Sequence, residues 1–151
     1  GLPGWRAQND IWDFHNYDQG LADDARRLET GTPNLAGNLA LANSVELLDR
    51  SGIGHVERWV LELTDRLCEG LTRLGARIAT QRDAAVKSGI VTFDVPGIDS
   101  RWLGAEMQRQ GVVTTYRNTG IRVSPHGYNV PDEIDAALET IAALSAAAPA
   151  V

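Results

Sequence analysis

The sequence has few of the residues on which several common kinds of protein chemistry depend. It contains one cysteine, Cys68, and one lysine, Lys87, among 151 residues. A single cysteine excludes an internal disulfide and is typical of a reducing compartment, while a single lysine leaves one candidate for amine chemistry. No apolar run reaches about 20 residues, and the N-terminus lacks the basic-then-apolar pattern of a signal peptide. We therefore expect a cytoplasmic protein with no membrane partner.

Charge and composition narrow the class of protein further. The net charge is −6 and the isoelectric point is about 5.0, and every basic residue except Lys87 is an arginine. Nucleic-acid binding needs clustered basic residues on one face, so we expect no nucleic-acid partner. Hydrophobic residues make up 43% and charged residues 23%, which is typical of a soluble globular chain.

The first half of the chain predicts an irregular segment followed by two long helices. Residues 1–34 mix turn-formers with aromatic residues and show no sustained hydrophobic period, which predicts an ordered loop lying against another surface. From Leu35, apolar residues recur at steps of three and four, which predicts a helix that ends near Ser51-Gly52. A second apolar stripe predicts another long helix, ended by Gly75 in the left-handed conformation. We assign residues 35–75 to interdomain helices.

The second half, residues 76–151, predicts a small C-terminal α+β domain. The predicted elements are a strand at 76–80, a strand at 89–95, a helix at 99–111, strands at 112–116 and 120–124 around a turn at 117–120, and a helix from Pro131. This order, ββαββα, predicts an antiparallel sheet covered by helices.

A short polar turn precedes the first long helix. In "ETGTPNLAG", residues 29–37, Thr32 and Pro33 come directly before the predicted helix start. The free N–H groups and the dipole of a helix N-terminus favour phosphate, so Thr32 is a candidate for an anion-binding turn. A capped helix without a ligand is the more common use of such a turn, and the residues alone leave both interpretations open.

A second candidate is the arginine in "GIRVSPHGYN", residues 120–129. Arg122 lies between Ile121 and Val123 in a predicted strand, so its side chain faces the opposite side from theirs. A planar guanidinium takes both oxygens of a carboxylate at once, which makes Arg122 a candidate carboxylate clamp. A surface or ion-paired arginine is an equally good interpretation. His126 is expected to be a polar surface residue.

The remaining reactive side chains give weaker signals. Cys68 lies beside the apolar stripe of the second helix, so we expect a buried or half-buried thiol and no nucleophile. Lys87 lies in a polar loop, where we expect a solvated lysine and no Schiff base. His15 and His55 have no cysteine or carboxylate partners at metal-ligand spacing, so we predict no metal site.

Several stretches taken together resemble class V aminotransferases, which are fold-type I pyridoxal-phosphate enzymes. "ARRLETGTPNLAGNLALANSVELLDRSGI" resembles the start of their C-terminal part. "KSGIVTFDVPGID", "GVVTTYR" and "IRVSPHGYNVPDEIDAAL" resemble the rest of it in the right order, and "GLPGW" resembles the stretch soon after the cofactor lysine. The resemblance covers nearly the whole chain, and its motifs are specific as a set.

The resemblance implies a role for both candidate residues. By matching motif, Thr32 is the threonine that reaches the phosphate of pyridoxal 5'-phosphate bound to the other subunit of a homodimer. Arg122 is the arginine that binds the α-carboxylate of an amino-acid substrate. No catalytic residue has a match, because the Schiff-base lysine, the ring-pairing Asp and the ring-stacking His belong to a large N-terminal domain. We therefore expect the C-terminal part of an enzyme, inactive alone, with residues 1–34 as its approach segment.

The resemblance also bears on the reaction. Cysteine desulfurases carry a loop with a catalytic cysteine before the arginine strand, whereas "TTYRNTGIRVS" leaves a tight turn without cysteine. Transamination, lyase or epimerase chemistry on an amino acid is therefore preferred over desulfuration. The alternative from a different class is a stand-alone α+β binding or assembly module without catalysis.

Overall fold

Two structural units divide the chain in the computed structural model, which describes residues 4–117 and 120–148. One unit ends at Leu47 and the other begins at Leu48. The three-part division predicted at residues 1–34, 35–75 and 76–151 stays a prediction. None of the helices among the described residues is both long and apolar enough for a bilayer span.

The N-terminal unit begins with an irregular segment before the first long helix, and the two ends of this segment contact each other. Gln8 and Leu21 form an antiparallel bridge, and Ala7 beside it is fully buried. The Arg6 guanidinium pairs with Glu29 at 2.6 Å. These contacts bring the start of the segment against its end, so the predicted irregular segment is an ordered loop.

Helix α1, Leu35–Ser51, leads out of this segment. The Asn34 carboxamide oxygen accepts the N–H of Gly37 at 2.9 Å and caps the helix, so Pro33 lies just before the first turn. Gly52, with φ 78°, separates α1 from the next helix, as predicted. No residue of α1 is buried in the described chain. Its apolar side chains, such as Leu39 at 66% exposed, therefore face solvent.

The C-terminal unit has the predicted element order. Its elements are α2 (Ile53–Arg73), β1 (Arg77–Ile78), β2 (Val91–Asp94), α3 (Ser100–Arg109), β3 (Thr115–Arg117), β4 (Gly120–Val123) and α4 (Pro131–Ala147). All strand pairs are antiparallel, and the spatial order of the strands is β1-β2-β4-β3. The predicted small α+β domain, ββαββα with an antiparallel sheet, is confirmed.

One face of the sheet forms the core with the three helices. Val91 and Phe93 alternate with half-buried residues along β2, and both are fully buried with Ile121 of β4 on this helix-covered face. They pack with apolar residues from each helix: Leu63, Leu67, Leu71, Leu103, Met107, Ile134, Ile141 and Leu144. The opposite face of the sheet carries the intervening residues of each strand.

Glycine ends both α2 and α3, and this shortens one predicted strand. At the end of α3, Gly111 has φ 86° and its N–H donates to Gln108 O. The N–H of Val112 donates to Met107 O at 2.9 Å, which completes a Schellman motif. The strand predicted at 112–116 therefore begins at Thr115, because Val112 belongs to the helix ending. Of the predicted turn at 117–120, residues 118–119 lie outside the described part of the chain.

Candidate functional site

Arg122 lies at the centre of the sheet, on the face opposite the helices. In the strand register, Arg122 of β4 is paired with Thr92 of β2 on one side and with Thr115 of β3 on the other. Directly paired residues share a face and place their Cβ atoms about 4.5–5.5 Å apart. The guanidinium stem is thus flanked by two hydroxyl-bearing side chains.

The Arg122 guanidinium has no anionic partner among residues 4–117 and 120–148. Its Nε atom is buried and lacks a hydrogen-bond partner. The nearest acidic residue of the same face in the strand register, Asp94, is paired with Arg77 at 2.7 Å. A buried polar atom without a partner is costly, typically about 1–3 kcal/mol. The prediction of an arginine facing away from Ile121 and Val123 is confirmed, and Arg122 makes no ion pair with a described residue.

The loop that follows β4 is fixed from two sides. The Trp59 indole N–H of α2 donates to the Asn129 carbonyl at 3.0 Å. The Glu133 carboxylate of α4 accepts the Asn129 amide N–H at 2.9 Å and the Val130 N–H at 3.0 Å. These donors hold the pKa of Glu133 below its usual value. The loop therefore anchors the strand that carries Arg122 against two helices.

His126 lies in this loop and is exposed, as predicted. Its ring stacks on Tyr128 with centroids 4.9 Å apart. An open cleft of about 570 Å³ lies nearby between α4, the end of α3 and the residues after β4. Arg122 does not line this cleft, so the cleft and the arginine are separate features of the unit.

Thr32 lies in the N-terminal unit, two residues before the Asn34 cap of α1, and is exposed. Its position ahead of a helix N-terminus is therefore as predicted. The role of Thr32 in binding phosphate and the role of Arg122 in binding carboxylate stay predictions. Thr32 and Arg122 belong to different units.

Lys87 does not have the solvated setting that the sequence predicts. Its ammonium group pairs with the Asp65 carboxylate at 2.6 Å, and its side chain is only 24% exposed. Arg82 pairs with the other oxygen of Asp65, also at 2.6 Å, and donates to Thr64. The prediction of a solvated lysine is wrong because Asp65, on the neighbouring helix α2, draws the loop lysine inward.

The pKa values of Asp65 and of the nearby Cys68 are shifted in opposite directions. Burial alone would raise the pKa of Asp65, but hydrogen bonds from Lys87 and Arg82 outweigh it and lower that pKa. Burial raises the pKa of the half-buried Cys68 thiol. A raised pKa leaves little thiolate at neutral pH, so the expectation of an unactivated, half-buried thiol is confirmed.

No group of three or more His, Cys, Asp or Glu residues in the described part of the chain could hold a metal ion. The candidate ligand-binding groups are the guanidinium of Arg122, which has no anionic partner among the described residues, and the polar turn before α1. Sequence reasoning missed the anchoring residues Trp59 and Glu133 as well as the two flanking threonines. Strand alternation of "VTFD" and "TYR" could have placed the threonines beside the arginine once the strand order was known.

The chain is similar over most of its length to one family and to several solved structures. The profile described as "Aminotransferase class-V" matches residues 9–136. A probable cysteine desulfurase of Pyrococcus abyssi is 25% identical, with 76% of this chain and 32% of that protein covered. The uncharacterized aminotransferase YcbU of Bacillus subtilis is 26% identical, with 84% of this chain and 34% of that protein covered.

The structural comparison gives the same result. An apo cysteine desulfurase from Thermococcus onnurineus NA1 superposes with a TM-score of 0.79 at 26% identity, covering 97% of this chain and 39% of that one. The cysteine desulfurase CsdA from Escherichia coli superposes with a TM-score of 0.77 at 22% identity. The match covers 98% of this chain and 39% of that one and shows a shared fold. The chain therefore spans about a third of the length of the curated relatives it matches.

Proposed function

Since this chain belongs to the class V aminotransferase family, whose members depend on pyridoxal phosphate, we propose that it serves as the C-terminal part of an enzyme acting on an amino-acid substrate. The remainder of that enzyme is a large N-terminal domain, and the enzyme is a homodimer. Within it, this chain contributes the binding of two anionic groups, a phosphate through Thr32 and a carboxylate through Arg122. It contributes no Schiff-base lysine.

The observation that carries the proposal is that the Nε atom of Arg122 is buried and has no hydrogen-bond partner among the described residues. A buried Nε without a partner is destabilising unless a ligand completes it, and a carboxylate supplies two acceptors in the geometry of the guanidinium fork. Arg122 thus binds and orients the α-carboxylate of the amino acid. The flanking strands β2 and β3 and the anchored loop after β4 keep the arginine in place.

The cofactor fits this chain at one end only. Thr32 and the backbone before α1 offer a hydroxyl and a helix N-terminus, which suit the phosphate group. This chain offers no amine for a Schiff base with the cofactor, because its one lysine, Lys87, is paired with Asp65. When bound, pyridoxal phosphate supplies an electron sink for bonds at the substrate Cα atom. This chain's part is to hold anions while the reactive amine lies in the other domain.

Among the reactions of the family, we favour transamination, elimination or epimerisation over desulfuration. Two of the relatives are named as probable cysteine desulfurases, and that is the alternative within the family. The sole cysteine here, Cys68, lies on α2 with a raised pKa, and only residues 118 and 119 connect β3 to β4. Persulfide chemistry therefore lacks a thiolate next to the arginine strand.

The test is Arg122→Gln in the full-length, cofactor-loaded enzyme, with Arg122→Lys as a second variant. Charge-assisted hydrogen bonds contribute about 1.5–3 kcal/mol, so we expect apparent amino-acid affinity to fall about 10- to 100-fold in the Gln variant. Lysine keeps the charge but lacks the fork and should restore only part of the affinity. Arg73→Gln, an exposed arginine at the end of α2, is the matched control and should bind as the wild type does.

Unchanged affinity of Arg122→Gln for every amino acid that the enzyme binds would contradict the assignment. If the full-length protein bound neither pyridoxal phosphate nor an amino acid, the stand-alone binding or assembly module would be the better interpretation of this domain.

A further inference from the structure

A second arginine lies beside Arg122 on the same face of the sheet. Arg117 of β3 is paired with Gly120 of β4, and Thr115 of β3 is paired with Arg122. Arg117 and Arg122 are therefore diagonal neighbours on one face, with a separation of about 7–8 Å typical of such positions. Long side chains reach each other across that distance. Arg117 is exposed, whereas Arg122 is half-buried.

Neither arginine is neutralised within residues 4–117 and 120–148. No ion pair or hydrogen bond joins the guanidinium of Arg117 or of Arg122 to a described residue, and the Nε atom of Arg122 is buried without a partner. The other charged residues of this face are Arg77 and Asp94, which neutralise each other. In a chain of net charge −6, two positive charges without a counter-charge among the described residues thus lie next to each other.

Gly120 is the residue of β4 that lies opposite Arg117. A Cβ atom at Gly120 would lie 2.2 Å from the Phe93 carbonyl oxygen, and its φ of 131° is one that other residues rarely adopt. No side chain therefore stands between Arg117 and Asp94 in this row of the sheet. The two guanidiniums therefore lie on one face of the sheet with no acidic side chain of the described strands between them.

We propose that Arg117 and Arg122 together bind a substrate with two acidic groups, an amino acid whose side chain ends in a carboxylate. This inference rests on the proposed function, in which Arg122 holds the α-carboxylate. Arg117 then receives the acidic group of the side chain and acts as the specificity-determining residue. Like charges side by side are unfavourable in the free protein, and a dianion removes that repulsion while it gains two ion pairs.

The experiment measures equilibrium binding of unreactive carboxylates to the full-length, cofactor-loaded enzyme by titration calorimetry. The probes are succinate and glutarate, with two acid groups, and butyrate, with one. In the wild type we expect at least one dicarboxylate to bind about fivefold more tightly than butyrate, which corresponds to one additional exposed ion pair of about 1 kcal/mol. Added salt should reduce this preference, because the second contact is solvent-exposed.

The arginine variants separate this inference from the proposed function. Arg117→Gln should remove the dicarboxylate preference and leave butyrate binding unchanged, and Arg117→Lys should keep part of the preference. Arg122→Gln should weaken the binding of all three probes, while the control Arg73→Gln should change none. If the wild type shows no preference, or if Arg117→Gln retains it, the inference is overturned while the role of Arg122 stands. If Arg122→Gln binds all probes normally, both are overturned.

Discussion

The ion pairs of Asp65 with Arg82 and Lys87 lead to a quantitative prediction for the free energy of unfolding. Asp65→Asn keeps the shape of the side chain but removes the negative charge that Lys87 and Arg82 contact, each at 2.6 Å. At an effective dielectric constant of about 20, opposite charges about 4 Å apart attract by about 4 kcal/mol, and desolvation offsets much of this. The variant would leave two cations without a counter-charge.

The exposure of the three side chains decides the magnitude. The Arg82 and Lys87 side chains are 18% and 24% exposed, but that of Asp65 is 44% exposed, so solvent screens part of the interaction. Removing one partner of a fully buried pair costs about 3–5 kcal/mol, and an exposed pair contributes at most about 1 kcal/mol. We expect a loss of about 2 kcal/mol in the free energy of unfolding. With a urea slope of about 1.5 kcal/mol/M, the midpoint should fall by about 1.3 M.

The assay is urea unfolding followed by the circular dichroism of the helices. Asp135→Asn is the matched control, since Asp135 joins α4 to α2 through Arg66 at the exposed surface and should shift the midpoint far less. A midpoint of Asp65→Asn equal to that of the wild type would refute the reasoning.

Acid provides an independent check on the same interaction. The pKa of Asp65 is lower in the folded state than in the unfolded state. The contribution of Asp65 to the free energy of unfolding is therefore fully present above the unfolded pKa of about 3.9, and it is lost as the pH falls through the folded-state pKa. The difference between wild type and Asp65→Asn should be constant near neutral pH and shrink below about pH 4. A difference that persists unchanged in acid would show that the carboxylate charge is not its source.

Two further predictions concern the sheet and the turn before α1. Gly120→Ala should destabilise the C-terminal unit by more than about 2 kcal/mol, because the added Cβ atom would overlap the Phe93 carbonyl. The control is Gly97→Ala, where φ is 80° but the space is open, and it should cost about 1 kcal/mol in the same urea experiment. Thr32→Val should speed cofactor loss from the full-length dimer about fivefold, as expected for one hydrogen bond. The control is Thr72→Val, at an exposed position of α2, and equal rates for the two variants would contradict the phosphate role.

The sequence determined the secondary structure of this protein well because the signals are local. The apolar stripes of α2 and α4 follow the helical period, and Gly75 and Gly111 adopt the left-handed conformation that ends a helix. Asp99 accepts the N–H of Trp102 as the N-cap of α3. Each of these features depends on residues within about one helical turn of each other.

Only the tertiary structure decided which polar residues meet. Asp65 and Lys87 are 22 residues apart, and no local pattern pairs them, which is why the prediction of a solvated Lys87 is wrong. Likewise, the alternation within β4 determines the face of Arg122, but the strand order β1-β2-β4-β3 is what places Thr92, Thr115 and Arg117 around it. Strand order is set by long-range packing against the three helices, and local periodicity carries no information about it.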